Sequence, residues 1–306
     1  MIDIELFRKN PKIFEEEIKK RGMKIDISAG VSLDRQWREL TFRDGELRAK
    51  KNEATKSIPL LRGEDRDKKI KEMKGINVEL EEIKAKLEDS KNQYKIHFAP
   101  YPNLSHEDIP VGSDESGNIV CSYNKEKPVF DFTPKNHIEL GTRLDILDEK
   151  RAAKVSGSRF VFIKNEGVML EFALIQYVLN ILIGKGFTPM IPPTLVNEKA
   201  MYGTGFFPVE ASQYYKTELD DLYLIGTSEV PLCAYHSDEF LDIQKLPLKY
   251  AAFSTCFRRE AGTYGKDMGG MFRVHQFDKI EMLVFAHPDN SWDEYEVLLE
   301  TLEEIM

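Results

Sequence analysis

Two long apolar runs with heptad spacing constrain the fold of this chain more than any other feature. Steps of three and four residues separate the apolar positions, which is the pattern of helices packing along one seam. Pro59 and Gly63 lie between the runs and mark a turn. The sequence therefore predicts two helices of about thirty residues, folded back into an antiparallel hairpin of roughly 40 Å. The seam consists of Leu33, Trp37, Leu40, Leu47, Ala54, Ile58 and Leu61, interrupted by Asp44 and Lys51, and of Met73, Ile76, Leu80, Ile83, Leu87, Ser90 and Tyr94.

The charge of the chain is unevenly distributed along it. The whole chain has a net charge of −9, whereas residues 33–96 carry 17 Lys plus Arg against 14 Asp plus Glu. A locally basic element on an acidic body fits a directed contact with phosphates better than generic nucleic-acid binding. A structural or dimerising coiled coil is the alternative, and from the pattern alone it is the commoner case.

A strand, a glycine-rich loop and a return strand form the second constraint. Phe257-Arg258-Arg259-Glu260 ends the first strand, residues 261–270 form the loop, and Arg273-Val-His-Gln-Phe277-Asp-Lys-Ile-Glu281 opens the second. Because side chains alternate along a strand, polar and apolar residues separate onto two faces. One face is predicted to hold Ser254, Cys256, Arg258, Glu260, Arg273, His275, Phe277, Lys279 and Glu281, and the other Phe253, Phe257, Phe272, Val274, Ile280, Met282 and Val284.

A third segment, Tyr223-Leu-Ile-Gly-Thr227-Ser228-Glu229, reads as another short strand with Thr227 and Glu229 on one face. Together the segments offer an arginine, a ring, a hydroxyl and carboxylates, which is the outline of a pocket for a nucleotide and a small amino acid. An amphipathic hairpin with a solvated face is the alternative. The position of Phe277 among charges argues against it, since an aromatic ring suits stacking on a base.

Composition places the chain among soluble two-domain proteins. It has 306 residues, of which 42% are apolar, enough for a large core. No apolar run is expected to reach the length of about 18 residues that spans a bilayer, and the N-terminus has no signal-peptide pattern, so a cytoplasmic location is expected. Cys121, Cys233 and Cys256 are widely spaced, so neither a disulfide nor a zinc site is expected.

The chain resembles bacterial-type seryl-tRNA synthetases, a family of class II aminoacyl-tRNA synthetases, over essentially its whole length. The motifs that carry the resemblance occur in the family's order. They are Asn103-Leu104, Ile109-Pro-Val-Gly112, His137-Ile-Glu-Leu-Gly141, Arg151-Ala-Ala-Lys-Val-Ser-Gly-Ser-Arg-Phe160, Pro192-Pro193, Leu195-Val-Asn197, Met201-Tyr-Gly-Thr-Gly205 and the β-hairpin.

The resemblance and the residue pattern together predict an α+β protein in two domains. Residues 1–108 would form a tRNA-binding arm, with short helices packed at the base of the long α-helical hairpin (coiled coil). Residues 109–306 would form a class II catalytic domain on an antiparallel sheet, after a break at Pro100, Pro102, Pro110 and Gly112. Motifs 1 and 2 are present. Motif 3 is not, so the catalytic domain is expected to be incomplete at its C-terminus.

The resemblance implies that the chain activates L-serine with ATP and transfers it from seryl-adenylate to the 3′ end of tRNA, with tRNA for selenocysteine left open. Arg258 would hold the α-phosphate, and Glu260 would bind the adenosine or the acceptor end. Phe277 would stack on adenine, and Arg273 would reach the phosphate tail. Magnesium would accompany ATP. The expected ATP site is Arg258, Arg259, Glu260, Arg273, Val274 and Phe277, and the expected serine site is Thr227, Ser228, Glu229 and Glu281.

The resemblance also implies two macromolecular contacts. Exposed basic residues of the hairpin would grip the long variable arm of tRNA. The apolar helix predicted over residues 171–183, with the proline-rich strand after it, corresponds to motif 1 at a homodimer interface, although a core helix with an edge strand fits composition equally well. The candidate tRNA contacts are Arg35, Arg43, Arg48, Lys50, Lys51 and Lys56.

Departures from the family pattern keep other interpretations open. Gly226-Thr-Ser-Glu replaces the commoner Pro-Thr-Ala-Glu, and Asp267-Met-Gly-Gly270 stands where a basic residue often precedes the last glycine. A tRNA-binding paralogue or fragment that lacks catalysis is the main alternative. A class II enzyme for another amino acid, such as a prolyl enzyme, is disfavoured by the basic hairpin. Carrier-protein ligases fit poorly, because they usually lack that hairpin. Class I synthetases are excluded, because they carry the motifs HIGH and KMSKS and this sequence contains neither.

Overall fold

The computed structural model describes residues 2–123, 125–208, 211–260 and 270–306. Internal contacts divide the chain into two compact units, Met1–Lys125 and Glu126–Met306. The first unit thus extends past residue 108, and the predicted division into domains at that residue stays a prediction.

The first unit is built of four helices. They are α1 (Ile4–Lys9), α2 (Pro11–Lys20), α3 (Ile27–Ser57) and α4 (Gly63–Phe98). Asp26 starts α3 by accepting the backbone N–H groups of Ser28 and Ala29, as an N-cap carboxylate does. The turn after α3 contains Pro59, and Gly63 begins α4 with φ +59°, a backbone conformation that favours glycine.

The predicted seam between α3 and α4 is confirmed. Leu47, Ile76 and Ile83 form one buried cluster, and Ala54 is fully buried at its own seam position. Near the open end of the hairpin the rings of Trp37 and Tyr94 lie 4.8 Å apart. The long helical hairpin is therefore held by side chains at the heptad positions, as expected of a coiled coil.

The short N-terminal helices pack at the base of this hairpin, also as predicted. Phe7 of α1 contacts Phe14 of α2 and Phe98 of α4 edge to face, with ring centroids 5.5 and 5.1 Å apart. Arg8 closes the same region by donating to the buried carboxylate of Asp34 at 2.9 Å. These contacts give the arm an aromatic base with its own core.

The second unit combines helices with a central three-stranded sheet. Its helices are α5 (His137–Arg143), α6 (Glu149–Ser156), α7 (Glu166–Gly184), α8 (Glu198–Gly203), α9 (Glu229–Ala234) and α10 (Ser291–Ile305). Its strands are β1 (Leu147–Asp148), β2 (Phe162–Ile163), β3 (Thr188–Met190), β4 (Leu195–Asn197), β5 (Leu222–Leu224), β6 (Leu248–Phe257) and β7 (Gln276–Phe285).

The sheet has the order β3-β6-β7, with β3 parallel to β6 and β7 antiparallel to it. The predicted β-hairpin is present, but its strands are shorter than expected. Arg258 and Glu260 follow the end of β6, and Arg273 precedes β7. Glu260 has φ +51°, so the chain leaves the extended conformation at this residue and side-chain alternation stops there.

One face of β7 packs in the core, as the alternation predicts. Ile280, Met282 and Val284 contact a cluster containing Leu182 of α7. The prediction was wrong for Phe272, which is 80% exposed. Its position ahead of β7 removes it from the sheet's apolar face.

Helix α7 is longer than predicted and mostly uncovered. Its exposed apolar side chains include Met169, Leu170, Phe172 and Leu174. By length and composition alone, α7 could cross a bilayer. The expectation from the sequence, that no apolar run reaches this length, is corrected. Helix α7 has so few charged residues that a window of about 18 residues within it is apolar enough on average.

Strands β4 and β5 pair beside a second core that contains Met201, Phe207 and Ile225. The predicted strand around Thr227 ends at Leu224, and Glu229 is the first residue of α9. Thr227 and Glu229 therefore do not alternate along one strand. A strand-to-helix turn brings them to the face of β7 instead.

Candidate active site

Thr227 and Glu281 are brought together by the turn after β5 and the register of β7. Thr227 is 2% exposed, and its Oγ1 donates to Glu281 Oε2 at 2.7 Å. Lys279 Nζ donates to the same hydroxyl at 2.9 Å and forms a close ion pair with Glu281. The hydroxyl is thus both donor and acceptor in a half-buried charged network, which fixes its orientation.

Ser228 and Glu229 border the same network. The Glu229 backbone N–H donates to Thr227 Oγ1 at 3.2 Å. Ser228 is fully buried, and within the described part of the chain its Oγ has no hydrogen-bond partner. Burial, followed by the nearby charges of Glu229 and Glu281, raises the pKa of the Cys233 thiol to about 11. Both carboxylates therefore act on one small region, and the thiol is protonated at neutral pH.

Arg258 lies against a ring and a main-chain carbonyl. Its guanidinium carbon is 5.2 Å from the centroid of the Phe277 ring, within the range of a cation–π contact. Its Nε donates to the Gly226 carbonyl at 3.1 Å. A Cβ at Gly226 would lie 2.8 Å from Tyr214 and 3.4 Å from Arg258 Cγ. Glycine at position 226, where the family more commonly has proline, allows both side chains to approach the turn.

Glu260 and Arg273 form an ion pair across the two ends of the hairpin. Arg273 Nε donates to Glu260 Oε2 at 2.5 Å, and the Glu260 side chain is only 13% exposed. Val274, predicted as a nucleotide contact, is buried with 7% exposure. Residues 261–269, which hold the predicted glycines of the loop and Asp267, lie outside the described residues.

Arg259 borders a cavity that is lined partly by aromatic side chains. It lines this cavity of about 560 Å³ together with Tyr202, Phe207, Tyr215 and Lys216. Tyr214 also lines this cavity and contacts the Gly226 turn. Arg258 is not among the described residues that line this cavity, so the two consecutive arginines have different surroundings, and their assignment to one ATP site stays a prediction.

The candidate tRNA contacts on the arm divide into two groups. Three arginines are already paired, because Arg35, Arg43 and Arg48 contact Glu39, Glu79 and Asp44 at 2.8, 2.6 and 2.6 Å. For Lys50, Lys51 and Lys56, no carboxylate lies within ion-pair distance among the described residues. The three lysines therefore present their charge without a protein counter-ion there.

Two functional features escaped the sequence interpretation. Lys279 was placed on the polar face but given no role, although it contacts both Thr227 and Glu281. His137, known only as part of a motif, accepts the backbone N–H of Met271 at 3.2 Å. Alternation along β7 could have indicated Lys279, whereas nothing in the local sequence links His137 to Met271.

Family models match both units of the chain. Residues 209–306 match the model described as the class II tRNA synthetase core domain for G, H, P, S and T. Residues 1–105 match the seryl-tRNA synthetase N-terminal domain. The fold is that of a class II aminoacyl-tRNA synthetase core domain, preceded in the sequence by a helical arm.

Individual relatives narrow this class. The chain is 38% identical to the serine–tRNA ligase of Nitrosopumilus maritimus, with 99% of this chain and 73% of that protein covered. It is 40% identical to serine–tRNA ligase 1 of Streptomyces avermitilis, with coverage of 98% and 71%. The chain belongs to the serine–tRNA ligase (seryl-tRNA synthetase) family.

Solved structures agree with this assignment. The seryl-tRNA synthetase of Pyrococcus horikoshii, complexed with ATP, matches with a TM-score of 0.84 and 35% identity over 100% of this chain and 74% of that chain. The cytoplasmic serine-tRNA ligase of Naegleria fowleri, in complex with AMP, matches with a TM-score of 0.80 and 27% identity over 99% and 71%. The predicted family and fold class are confirmed.

Proposed function

We propose that this chain activates L-serine with ATP and transfers the seryl group to the 3′ end of its tRNA. The observation that carries the proposal is the family match over nearly the whole chain, to proteins that are serine–tRNA ligases. In the activation step a serine carboxylate oxygen attacks the α-phosphorus of ATP, and pyrophosphate leaves. The adenosine hydroxyl at the tRNA 3′ end then attacks the seryl carbonyl, and AMP leaves.

Positioning and charge stabilisation would supply most of the catalysis, because no protein nucleophile is needed. Arg258 would bind the α-phosphate with its planar fork of N–H donors. It would have to turn its guanidinium from the Phe277 ring toward the phosphate, leaving that ring available to stack on adenine. Arg273 would contact the phosphate tail, and Glu260 would contact the adenosine or the acceptor end.

The serine pocket would be formed by Thr227, Ser228, Glu229 and Glu281. Its carboxylates suit the ammonium group of serine, and its hydroxyls suit the serine side chain. Lys279 forms an ion pair with Glu281, so we infer that serine's ammonium group competes with Lys279 for that carboxylate. A pocket built to pair a hydroxyl disfavours alanine, because an unpaired buried polar group is costly.

Magnesium would enter with ATP rather than as a separate ligand. It prefers one or two carboxylates plus phosphate oxygens. Two carboxylates of this region, Glu260 and Glu281, are each paired with a basic side chain. They could contribute an oxygen only after those partners move toward the phosphates. When bound, the ion would offset the charge of the phosphate tail.

Serine-dependent exchange of pyrophosphate into ATP tests the proposal directly. We expect the chain to catalyse exchange with serine and not with threonine, alanine or proline. Exchange with proline or threonine instead would overturn the assignment of serine. If no amino acid supports exchange, activation by this chain is refuted, and tRNA binding by the arm becomes its activity.

Replacing Thr227 with valine tests the serine pocket. The change removes the hydroxyl that joins Lys279 and Glu281 with little change of shape. We expect the KM for serine in the exchange reaction to rise about 5- to 150-fold, corresponding to about 1–3 kcal/mol for disrupted buried polar contacts. Thr255→Val is the matched control. Thr255 lies in β6, and its Oγ1 likewise donates to a carboxylate of β7, that of Asp278, at 2.7 Å. An equal rise in both variants would contradict the assigned pocket.

We also propose that the chain is a cytoplasmic homodimer with α7 at the interface. Helix α7 exposes Met169, Leu170, Phe172 and Leu174, and a group of exposed apolar side chains often marks an interaction site. A second copy would cover it, in keeping with motif 1. Sedimentation should therefore give twice the chain mass, and Phe172→Glu should shift the species to the monomer.

A control and a competing occupant make the dimer test specific. Phe240 is fully exposed outside α7, and Phe240→Glu should leave the dimer intact. Because α7 is also long enough to cross a bilayer, the protein should be mixed with lipid vesicles. A monomer that floats with the vesicles would refute the dimer in favour of membrane association.

A further inference from the structure

The segment that leads into β7, residues 270–275, is held by contacts from three directions; we refer to it as the return segment. Its Met271 N–H donates to His137 Nε2 at 3.2 Å. Its Arg273 side chain pairs with Glu260. Its His275 N–H donates to the Arg159 carbonyl at 3.0 Å. Two family motifs with no assigned role, those containing His137 and Arg159, therefore meet at this segment.

The contact with His137 is close as well as polar. Gly270 has φ +94°, and a Cβ there would lie 2.0 Å from His137 Nε2. On the other side, the Phe272 ring lies edge to face with the imidazole at 4.3 Å between centroids. The return segment thus wraps the imidazole from both sides of Met271.

His137 itself stands on a well-defined element. It is the first residue of α5, whose start is fixed by a reciprocal capping box between Asn136 and Glu139. An imidazole on this anchored helix end can fix the position of the backbone that it touches. Because Arg273 follows Met271 by two residues, a displaced Met271 displaces the base of the arginine side chain.

We propose that His137 is a positioning residue for ATP. It acts through the Met271 N–H to hold the return segment, and thereby holds Arg273 where it meets the phosphate tail. This inference rests on the proposed function, which gives Arg273 that contact. It adds a role for a residue to which the proposed function gives no substrate contact.

Comparison of His137→Ala with His137→Gln tests the role of the acceptor. The glutamine side-chain oxygen can take the place of Nε2 as acceptor, whereas alanine offers none. Calorimetry should show the Kd for ATP rising about tenfold in His137→Ala, consistent with the loss of one hydrogen bond. In exchange assays the KM for ATP of His137→Ala should rise by a similar factor. Its KM for serine should stay within about twofold of the parent's value. His137→Gln should restore ATP binding to within about threefold.

A structural histidine in the same unit provides the control. His236 bonds Tyr250 and Glu239 at 2.9 and 2.8 Å, away from the return segment. His236→Ala should lower the melting temperature without changing the ratio of the two KM values. If His137→Ala behaves in the same way, or if glutamine fails to rescue ATP binding, the positioning role is overturned.

A double substitution sharpens the test. Gly270→Ala places a methyl group against the imidazole, so it should weaken ATP binding about tenfold in the parent. Alanine at φ +94° is strained in either background, but the collision is gone when residue 137 is already alanine, so the same change should then cost at least about threefold less. Equal costs in both backgrounds would refute the contact. A parent that binds no ATP would refute the proposed function, whereas a parent that binds ATP and is insensitive to His137→Ala would refute this inference alone.

Discussion

Replacing Arg258 with alanine is expected to abolish seryl-adenylate formation while leaving tRNA binding nearly unchanged. The side chain would be the main donor to the α-phosphate, where charge develops during the displacement. Loss of one such donor typically costs about 100- to 1,000-fold in rate. The measurement is serine-dependent pyrophosphate exchange, beside a tRNA-binding isotherm for the same preparation.

Two further variants show whether the effect at Arg258 depends on the shape of its guanidinium or only on its charge, and whether it is specific to this residue. Arg258→Lys keeps the charge but loses the planar fork, so it should recover only part of the rate. Arg259→Ala removes an equal charge from the adjacent residue, which lines the separate aromatic cavity. Its effect on exchange should be much smaller. Exchange by Arg258→Ala within twofold of the parent would refute the assigned role.

Removal of the outer part of the arm, residues 44–84, is expected to raise the Kd for tRNA by at least about a hundredfold. Several phosphate contacts would be lost together, and each is worth a large part of the affinity at low salt. The deletion takes out the whole cluster of Leu47, Ile76 and Ile83 and leaves the aromatic base around Phe7 and Phe98. Serine activation should change by less than about threefold. Unchanged tRNA charging would mean that the arm is structural only.

The contribution of each basic side chain of the arm to tRNA binding should depend on whether that side chain is already paired with a carboxylate. Lys50, Lys51 and Lys56 should be replaced together with alanine. The plot of the logarithm of the tRNA association constant against the logarithm of the salt concentration should then become less steep, by the equivalent of up to about three phosphate contacts. Arg48→Ala should change it less, because Arg48 would first have to leave Asp44. A larger effect from Arg48 than from the lysines would place the RNA on the paired arginines instead.

The local patterns in the sequence were reliable where one element's own period decided the outcome. The heptad positions from Leu47 to Ile83 became the arm's seam, and alternation along β7 correctly assigned Ile280 and Met282 to the core. The errors occurred where an element ends. Glu260 lies beyond the end of β6 and has a positive φ, and Phe272 lies ahead of β7, so neither obeys the alternation.

By itself, the sequence determined the helical arm, the β-hairpin and the family, and it supplied the candidate residues for the chemistry, because periodicity and ordered motifs are local properties of the chain. Only the tertiary structure decided how those residues pair. It joined Lys279 to Thr227, gave Arg258 and Arg259 different neighbours and set His137 against Met271. Such pairings depend on strand register and on the direction of side chains after a strand ends, and neither is encoded in the spacing of neighbouring residues.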